Sequence, residues 1–525
     1  MTRLTAAIMV RDLEQALADA TRAAEFGADL VELRIDGFTD PDGVGRLLQE
    51  APLPSILTCR PTWEGGEYAG GEAERLSLLE QAVQGVRAPT YLDLELAAWE
   101  QAPAEMRERL TEALETAGTG LILSAHDFEH RPRDLLSRIA KMAEVGPCRV
   151  IKLAWRARSL RDNLEAFEIL GQQYKPTIAL CMGRFGLPSR ALAKKFGALL
   201  SFASIDEASG TAPGQPTLDE IKKLYRWDRL GADTRVYGVI GWPVGHSMSP
   251  AVHNRGFDES GYDGVYLPMP IPPEYEHFKA TVGSWLAMEE LGFGGASVTI
   301  PHKENLLRFV REQGGEIEPL AARIGAANTL TKRTDGTLFA SNTDYAAALD
   351  AVCDALSIER EKLAGKAVAV VGAGGAARAV VAGFAAYGGR VTVYNRTRAK
   401  AEALAAEFGG ESGSVAAAGL EALPGASFEV LINCTPIGMH PEVEASPVDG
   451  EGLPDWGPGT VVFDTIYNPL ETKLLRQAKA AGCLTVPGTE MFVRQAAAQF
   501  ELWTGQTAPL EAFRGVLRER LGAGG

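Results

Sequence analysis

The stretch Cys148–Trp155, CRVIKLAW, sets a lysine inside an apolar, β-branched run. Such a lysine snorkels to water, pairs with an acid, or is desolvated for chemistry. Other ionisable residues stand in or just beyond similar runs. DLVELRID carries Glu32 and Arg34 two apart, so on one face of a strand. Arg60 ends PSILTCR, and Glu64 follows in PTWEGG. His126 stands in SAHDF, Arg184 in CMGR, and Thr211 and Gln215 in TAPGQ. If these converge, the cations Arg34, Arg60 and Arg184 and a dry wall disfavour an ammonium, and Lys152 is expected to act as an uncharged amine nucleophile. An amine condenses with a ketone to a Schiff base. His126, oriented by Glu64, then suits removal of a proton from the adjacent carbon, and the arginines suit a carboxylate. Taken singly, each residue has a plainer reading: a paired lysine, a capping histidine, an Arg34 tied to Glu32. Their arrival at successive strand ends carries the chemical one.

A barrel would bring them together. Eight strand-like runs, LTAAIMV, DLVELRID, PSILTCR, TYLDLEL, GLILSAHDF, CRVIKLAW, PTIALCMG and LLSFASI, are separated by charge-rich helical segments such as Leu13–Phe26, Glu74–Val86 and Pro103–Ala117. This regularity predicts a (β/α)8 TIM barrel over residues 1–230, with its site at the C-terminal strand ends. Thr217 and Glu220 form a capping-box pattern, and the helix they open is expected to stop at Gly231.

The second half holds another set. GWPVGHSMSP offers Ser247 and Ser249, SVTIPHK offers Thr299 and Lys303, GAANTL offers Asn328, and SNTDY offers Asp344. Together they make a lysine–aspartate pair beside hydroxyl and amide donors, suited to a small carboxylate or polyol. Downstream, VVGAGGAAR follows a strand and opens a helix, so Gly372, Ala373, Gly374, Gly375 and Ala376 suit a pyrophosphate at a helix N-terminus. The next strand ends in VYNRTRAK. Asn395, Arg396, Thr397, Arg398 and Lys400 stand where NAD binders place an acid, and this favours a 2′-phosphate and hence NADP. The expected layout is two α/β domains, a mixed one over 235–345 that carries the polar set and a Rossmann-like NADP-binding domain over 346–489, with helices within 490–525 at the end.

Bulk properties limit the partners. The 525 residues call for two or three domains, and 46% apolar residues fill their cores. A formal charge of −16 argues against nucleic acid or an anionic membrane surface. The six cysteines are scattered without metal spacing, which suggests reduced thiols and no metal site. The N-terminus lacks a signal-peptide pattern and no apolar run reaches about 20 residues, so the cytoplasm is the expected compartment.

Two resemblances sharpen this reading. VELRID, TCRPTWEGG, SAHDF, VIKLAW, MGR and TAPGQ, in that order over residues 1–228, resemble the type I 3-dehydroquinate dehydratase family. The resemblance implies an imine between Lys152 and the C3 ketone of 3-dehydroquinate. It implies that His126 removes the C2 proton and assists loss of the C1 hydroxyl, giving 3-dehydroshikimate. Glu32, Arg34, Arg60, Arg184 and Gln215 would hold the substrate, with Thr211 where many members carry serine. PVGHSMSP, VTIPHK, NTL, NTD, GAGGAAR, NRT, NCTPIGM, YNP and GTEMFVRQAA, over about residues 235–525, resemble shikimate dehydrogenase. That likeness implies a two-domain α/β dehydrogenase in which the helices within 490–525 belong with the 235–345 substrate-binding domain. It implies reversible hydride transfer between NADPH and C3 of 3-dehydroshikimate, with Lys303 and Asp344 as acid/base pair. Ser247, Ser249, Thr299, Asn328, Tyr467 and Gln495 would orient the ring, and Thr435, Gly488 and Met491 would line the nicotinamide side. Two departures stand out. Tyr345 follows Asp344 where glycine is common, and is expected to narrow the cleft or alter substrate fit. Lys400 stands near a usual arginine and weakens the NADP preference. The expected whole is a bifunctional shikimate-pathway enzyme acting on small molecules, monomeric or homo-oligomeric. The competing readings are a second half preferring quinate and NAD, and an inactive metabolite-binding regulator.

Overall fold

Alternating side chains along short parallel strands shape the first part of the chain. The strands are β1 (Arg3–Met9), β2 (Leu30–Arg34), β3 (Ser55–Thr58), β4 (Tyr91–Glu95), β5 (Gly120–Asp127), β6 (Cys148–Arg156), β7 (Thr177–Met182) and β8 (Leu200–Ala203). They pair in the order β7-β6-β5-β4-β3-β2-β1-β8. Leu199 N–H donates to Thr177 O at 2.9 Å across the remaining gap, so the barrel is nearly closed. This computed structural model describes residues 2–172, 175–410, 414–449, 454 and 456–522. Inside the barrel one layer is apolar: Ile56, Ile122, Val150, Ile178 and Leu200 pack together. Two residues further along the strands the interior turns polar, with Glu32, Thr58, Asp93, Ser124 and Lys152 all buried. The lysine of CRVIKLAW therefore shares its face with Val150 and Ala154, while Ile151, Leu153 and Trp155 are buried on the opposite face.

The capping box at the barrel's end forms. Glu220 N–H donates to Thr217 Oγ1 at 3.1 Å, and Thr217 N–H donates to Glu220 Oε2 at 2.8 Å. The helix is shorter than expected. Its turns end at Leu224, Arg226 takes a left-handed φ of 57°, and a separate turn covers Trp227–Arg229. The buried Arg226 guanidinium donates to Gly264 O, and a continuous helix would carry it elsewhere.

The chain divides into two compact units. One comprises Met1–Val236, Asp263–Ile271 and Lys279–Phe293; the other comprises Tyr237–Tyr262, Pro272–Phe278 and Gly294–Gly525. After β9 (Arg235–Gly241), β10 (Gly264–Pro270) thus clusters with the first unit. The second unit builds on β9, β11 (Phe293–Val298), β12 (Glu316–Ile317), β13 (Thr329–Lys332) and β14 (Leu338–Ser341), in the order β9-β11-β13-β14-β12. Pairs β11/β13 and β13/β14 are antiparallel, and β12/β14 is parallel.

Helix Thr343–Leu356 then leads to a parallel sheet of β15 (Ala367–Val371), β16 (Arg390–Asn395), β17 (Ser414–Gly419), β18 (Val430–Asn433), β19 (Val461–Asp464) and β20 (Leu484–Val486). Their order, β17-β16-β15-β18-β19-β20, reverses direction between β15 and β18, which opens a crevice at the strand ends. AVAVV and VLIN read as unbroken apolar runs because both faces are covered. Val368, Val370 and Ile432 lie in one cluster, Ala369, Val371 and Leu431 in another. Helices Gly488–Thr504 and Leu510–Gly522 return to the first sheet of this unit, where Trp503 Nε1 donates to Leu330 O at 3.0 Å. The end of the expected last helix, residues 523–525, lies outside the described residues.

Candidate active sites

The barrel cavity is lined by Glu32, Arg34, Arg60, Glu64, His126, Lys152, Arg190, Thr211 and Gln215, with Phe128, Leu180, Met182 and Phe202 as its apolar wall. Strand alternation delivers Lys152 from β6, and its Nζ lies 4.5 Å over the Phe202 ring. Its polar partners correct the expectation of an amine among guanidinium groups. Nζ donates to Asp93 Oδ2 at 2.7 Å and to Glu32 Oε1 at 2.9 Å. Arg60 stands behind these acids, with bonds to Asp93 (2.8 Å), Glu95 (2.5 Å) and Ser124 (2.8 Å). Arg75, fully buried, closes the chain of charges at Glu95 Oε2, 2.8 Å away. Burial pushes the Asp93 carboxyl up, but Arg60 and Lys152 overcome it and hold that group well below the carboxylate range.

His126, on β5, is set by Glu64. One carboxylate oxygen, Oε1, accepts from His126 backbone N–H at 2.8 Å and lies 2.9 Å from Nδ1. A carboxylate there assigns the proton to Nδ1 and leaves Nε2 as the basic nitrogen. Burial, and then the charges of Arg60 and Lys152, hold the imidazole well below its ordinary value, so it is neutral at pH 7. Burial also pushes Glu64 up to about 7, against the pull of Arg60.

Two further placements differ from the sequence expectation. Arg184 is exposed and does not line the cavity, because β7 ends at Met182 and the chain has already turned outward. Arg190 lines it instead: helix Leu187–Ala191 folds back and buries Arg190 to 2% exposure. Its Nε is buried without a hydrogen-bond partner, and burial brings the guanidinium down to about 10. Arg34 pairs with Asp36, at 2.8 and 2.9 Å, and not with Glu32. Thr211 donates through N–H and Oγ1 to Gln215 Oε1, at 3.0 and 3.1 Å. Gly214 straps this loop to the end of β7: its φ is +70° and a Cβ would stand 2.5 Å from Gly183 O. Asp93, Glu95, Ser124 and Arg190 were missed by the sequence reading. The two-residue spacing of Asp93 and Glu95 within TYLDLEL was the available signal.

In the second unit, Lys303 opens helix Lys303–Glu312 and Asp344 sits in the first turn of helix Thr343–Leu356. Lys303 Nζ is 2.6 Å from Asp344 Oδ2. Asn328 Nδ2 donates to Asp344 Oδ1 at 2.9 Å, and its Oδ1 accepts from Thr343 N–H at 2.8 Å. Gln499, another residue the sequence reading missed, braces this strand end by donating to Thr329 Oγ1 at 3.0 Å and accepting from Ser297 Oγ at 2.6 Å. Ser249 N–H donates to Ser247 Oγ at 3.3 Å, which places both hydroxyls in one turn. Thr299 N–H donates to Ile240 O at 2.8 Å, and its methyl packs where a Cβ on Gly241 would stand. Tyr467 is half exposed with its ring 5.7 Å from Phe492, and Gln495 Nε2 donates to Phe492 O at 3.0 Å. Tyr345 is buried at 8% exposure in the core of the β15–β20 sheet, which corrects the expectation that it narrows a cleft.

The turn after β15 fits a dinucleotide. Gly372 has a φ of +112°, and a Cβ there would stand 3.0 Å from Thr435 Cγ2. Gly374 and Gly375 are exposed at the start of helix Gly375–Ala386 with open space before them, beside Ala373 and the exposed Ala376. Arg396, Thr397 and Lys400 are exposed beyond β16, while Asn395 Nδ2 donates to Thr397 O at 2.8 Å and Arg398 is tied to Glu402 at 2.9 Å. Thr435 Oγ1 donates to Asn433 Oδ1 at 2.7 Å. Gly488 is pressed on Ile466 O, where a Cβ would stand 2.3 Å away, and Met491 lies mostly within the sheet's core.

Comparison with known proteins matches the chain in successive segments. Residues 4–231 match the family described as Type I 3-dehydroquinase. Residues 239–330 match the Shikimate dehydrogenase substrate binding domain, 355–439 the Shikimate / quinate 5-dehydrogenase family, and 488–518 the Shikimate 5'-dehydrogenase C-terminal domain. The chain is 37% identical to the Bifunctional 3-dehydroquinate dehydratase/shikimate dehydrogenase, chloroplastic, of Arabidopsis thaliana, over 97% of this chain and 83% of that protein. Its second half is 42% identical to Shikimate dehydrogenase (NADP(+)) of Methanosarcina acetivorans, covering 55% of this chain and 99% of that one. A solved structure of the dehydroquinate dehydratase and shikimate dehydrogenase from S. pombe AroM is similar over 98% of both chains, at 26% identity and a TM-score of 0.45.

Proposed function

We propose, from the premise that this chain belongs to the family of bifunctional 3-dehydroquinate dehydratase/shikimate dehydrogenases, that each half works through the side chains described above. The barrel dehydrates 3-dehydroquinate to 3-dehydroshikimate, and the second unit reduces that product to shikimate with NADPH.

In the barrel, Asp93 and Glu32 hold Lys152 Nζ in place, and Glu32 is the acceptor to which the nitrogen can pass a proton as it attacks the C3 ketone, whose oxygen leaves as water. The resulting protonated imine withdraws electrons from C2. His126 Nε2 takes the C2 proton, with Glu64 steadying the charge on the ring, and returns it to the departing C1 hydroxyl as water. Water then releases the product and restores the amine. Arg190 is a buried cation without a full set of partners, and it takes the substrate carboxylate. Arg34, Thr211 and Gln215 face the ring hydroxyls, and Arg60 keeps the acids in place. The observation that carries this reading is the lysine held by two carboxylates in the same cavity as a neutral histidine oriented by an acid.

In the second unit Lys303 Nζ donates to Asp344 Oδ2 across 2.6 Å. Lys303 donates to the oxygen that becomes the new hydroxyl, and Asp344, fixed by Asn328, holds the ammonium in position. Ser247, Ser249, Thr299, Tyr467 and Gln495 orient the ring. Gly374 and Gly375 would hold the pyrophosphate of NADPH and Arg396 its 2′-phosphate, with Thr435 near the nicotinamide; when bound, the cofactor supplies the hydride. Among the described residues no helix is long and apolar enough to cross a membrane. All six cysteines are free, in keeping with a reducing compartment such as the cytoplasm.

The test is a coupled absorbance assay with 3-dehydroquinate and NADPH, alongside borohydride reduction in the presence of 3-dehydroquinate. NADPH consumption with shikimate formed, and a mass adduct on Lys152, are the expected results. Turnover without any adduct would reject the imine, and an adduct without NADPH oxidation would reject the second half-reaction.

A further inference from the structure

Tyr345 follows Asp344 in sequence, yet its side chain turns away from the Lys303–Asp344 pair. The ring enters the apolar core of the β15–β20 sheet at Gly383, where an added Cβ would stand 3.2 Å from Tyr345 Cβ and 3.3 Å from Cδ2. Gly383 belongs to helix Gly375–Ala386, whose first residues form the dinucleotide turn. The Tyr345 hydroxyl donates to Glu318 Oε1. Oε2 of the same carboxylate accepts from Asn342 N–H at 2.9 Å. Asn342 is the N-cap of helix Thr343–Leu356: its Oδ1 accepts from Asp344 N–H at 3.0 Å, and its Nδ2 donates to Ala326 O at 2.9 Å. Glu318 in turn precedes helix Pro319–Ile324, and Ile324 O accepts from Arg378, which lies on the dinucleotide helix. Two ties therefore run from the helix that would receive the pyrophosphate to the turn that aims Asp344 at Lys303.

We propose that Tyr345 and Glu318 are positioning residues that couple occupancy of the nucleotide site to the placement of Asp344 against Lys303. An anion drawn to the N-terminus of helix Gly375–Ala386 favours one position of that helix. Close-packed interiors transmit such a preference because they do not compress. The ring at Gly383 carries it to Tyr345, and the carboxylate of Glu318 passes it to the Asn342 cap. Binding of shikimate and of nucleotide is then mutually favourable, by one factor in both directions. This rests on the second unit being an NADP-dependent shikimate dehydrogenase.

The experiment measures the shikimate Kd of the full chain by calorimetry with and without saturating NADPH, a pair that cannot turn over. Wild type is expected to bind shikimate at least ~5-fold tighter with NADPH present. In Tyr345→Phe, which keeps the ring and removes the donor, and in Glu318→Gln, this ratio falls toward one. Each ligand alone then binds within about two-fold of wild type, and the double variant is no worse than either single one, as expected of members of one link. A ratio of one in wild type overturns the proposal, as does a wild-type ratio in both variants. Parallel loss of both single-ligand affinities with a lowered melting temperature marks a merely structural role and also overturns it. Failure of wild type to bind NADPH at all would instead sink the functional reading of the second unit.

Discussion

Glu64 shows how one buried carboxyl ties the dehydratase to pH. Burial pushes it up to about 7, while the His126 it orients is held well below its ordinary value. In the proposed mechanism the carboxylate present above pH 7 steadies the imidazolium formed as His126 takes its proton; below, that charge is gone. The acidic limb of dehydratase kcat/KM is therefore expected near pH 7. Glu64→Gln, whose amide oxygen still accepts from Nδ1, should remove that limb and lower the plateau by about ten-fold. A limb persisting in the variant would assign it elsewhere. Stability runs the other way. The native state keeps a proton that the unfolded chain loses near 4.3, so this group's contribution falls as pH rises through about 7. Lys152→Met should abolish dehydration and the borohydride adduct. It should also lower barrel stability by about 3 kcal/mol, since Glu32 and Asp93 lose a buried cation and only Asp93 keeps Arg60; a melting curve reads this. Arg190→Gln should raise KM for 3-dehydroquinate by roughly 10- to 100-fold, the size of a lost hydrogen bond to a charged group, with kcat less affected. At this scale the sequence was legible where a polar residue closed an apolar run, as with His126 and Arg60. Lys152 was legible because a lone cation stands out in an apolar run, whereas Asp93, also within a run, was passed over despite standing two residues from Glu95, and Arg190 comes back on a later turn. Asp93 matters most, because it replaces the expected guanidinium neighbours of Lys152 with an acid.

Elements decide how firmly those residues are held. Helix Thr343–Leu356 owes its start to Asn342, and Asp344 lies in its first turn. Asn342→Ala removes the cap and the bond to Ala326 O, so about 1 kcal/mol of stability should be lost. Dehydrogenase kcat should fall further than that loss predicts, because the turn that aims Asp344 is freed; unchanged kcat with the lower melting temperature would show that the cap does not position the acid. The eight barrel strands were readable because a strand buried on both faces must be a short apolar run bounded by polar turns. The dinucleotide turn was readable because Gly372 sits where a side chain would meet Thr435. Element ends were harder. The helix opened by Thr217 and Glu220 stops at Leu224 although its cap forms, because Arg226 is drawn to Gly264 O, a partner 38 residues away. No local pattern announces that.

At the scale of the whole chain, the residues proposed for each chemistry fall within one unit. The residues lining the barrel cavity all fall within Met1–Val236. Lys303, Asp344, Asn328 and the turn at Gly372–Gly375 all fall within Gly294–Gly525. Among the described residues neither constellation draws a side chain from the other unit, so the two half-reactions should be separable by mutation. Lys152→Met should keep NADPH-dependent reduction of added 3-dehydroshikimate, and Lys303→Ala should keep dehydration. Neither variant alone should convert 3-dehydroquinate to shikimate. An equimolar mixture of the two should do so, after a lag in which free 3-dehydroshikimate accumulates to the KM of the second site, because the intermediate must then cross between molecules. In wild type the same intermediate is made on the chain that consumes it, and a shorter lag there would measure the effective concentration that the fusion provides. Equal lags would mean that the fusion brings no kinetic advantage and that its value lies in equal expression of the two activities. A mixture that made no shikimate at all would show that one unit needs the other's intact site, against the self-sufficiency read from the residues.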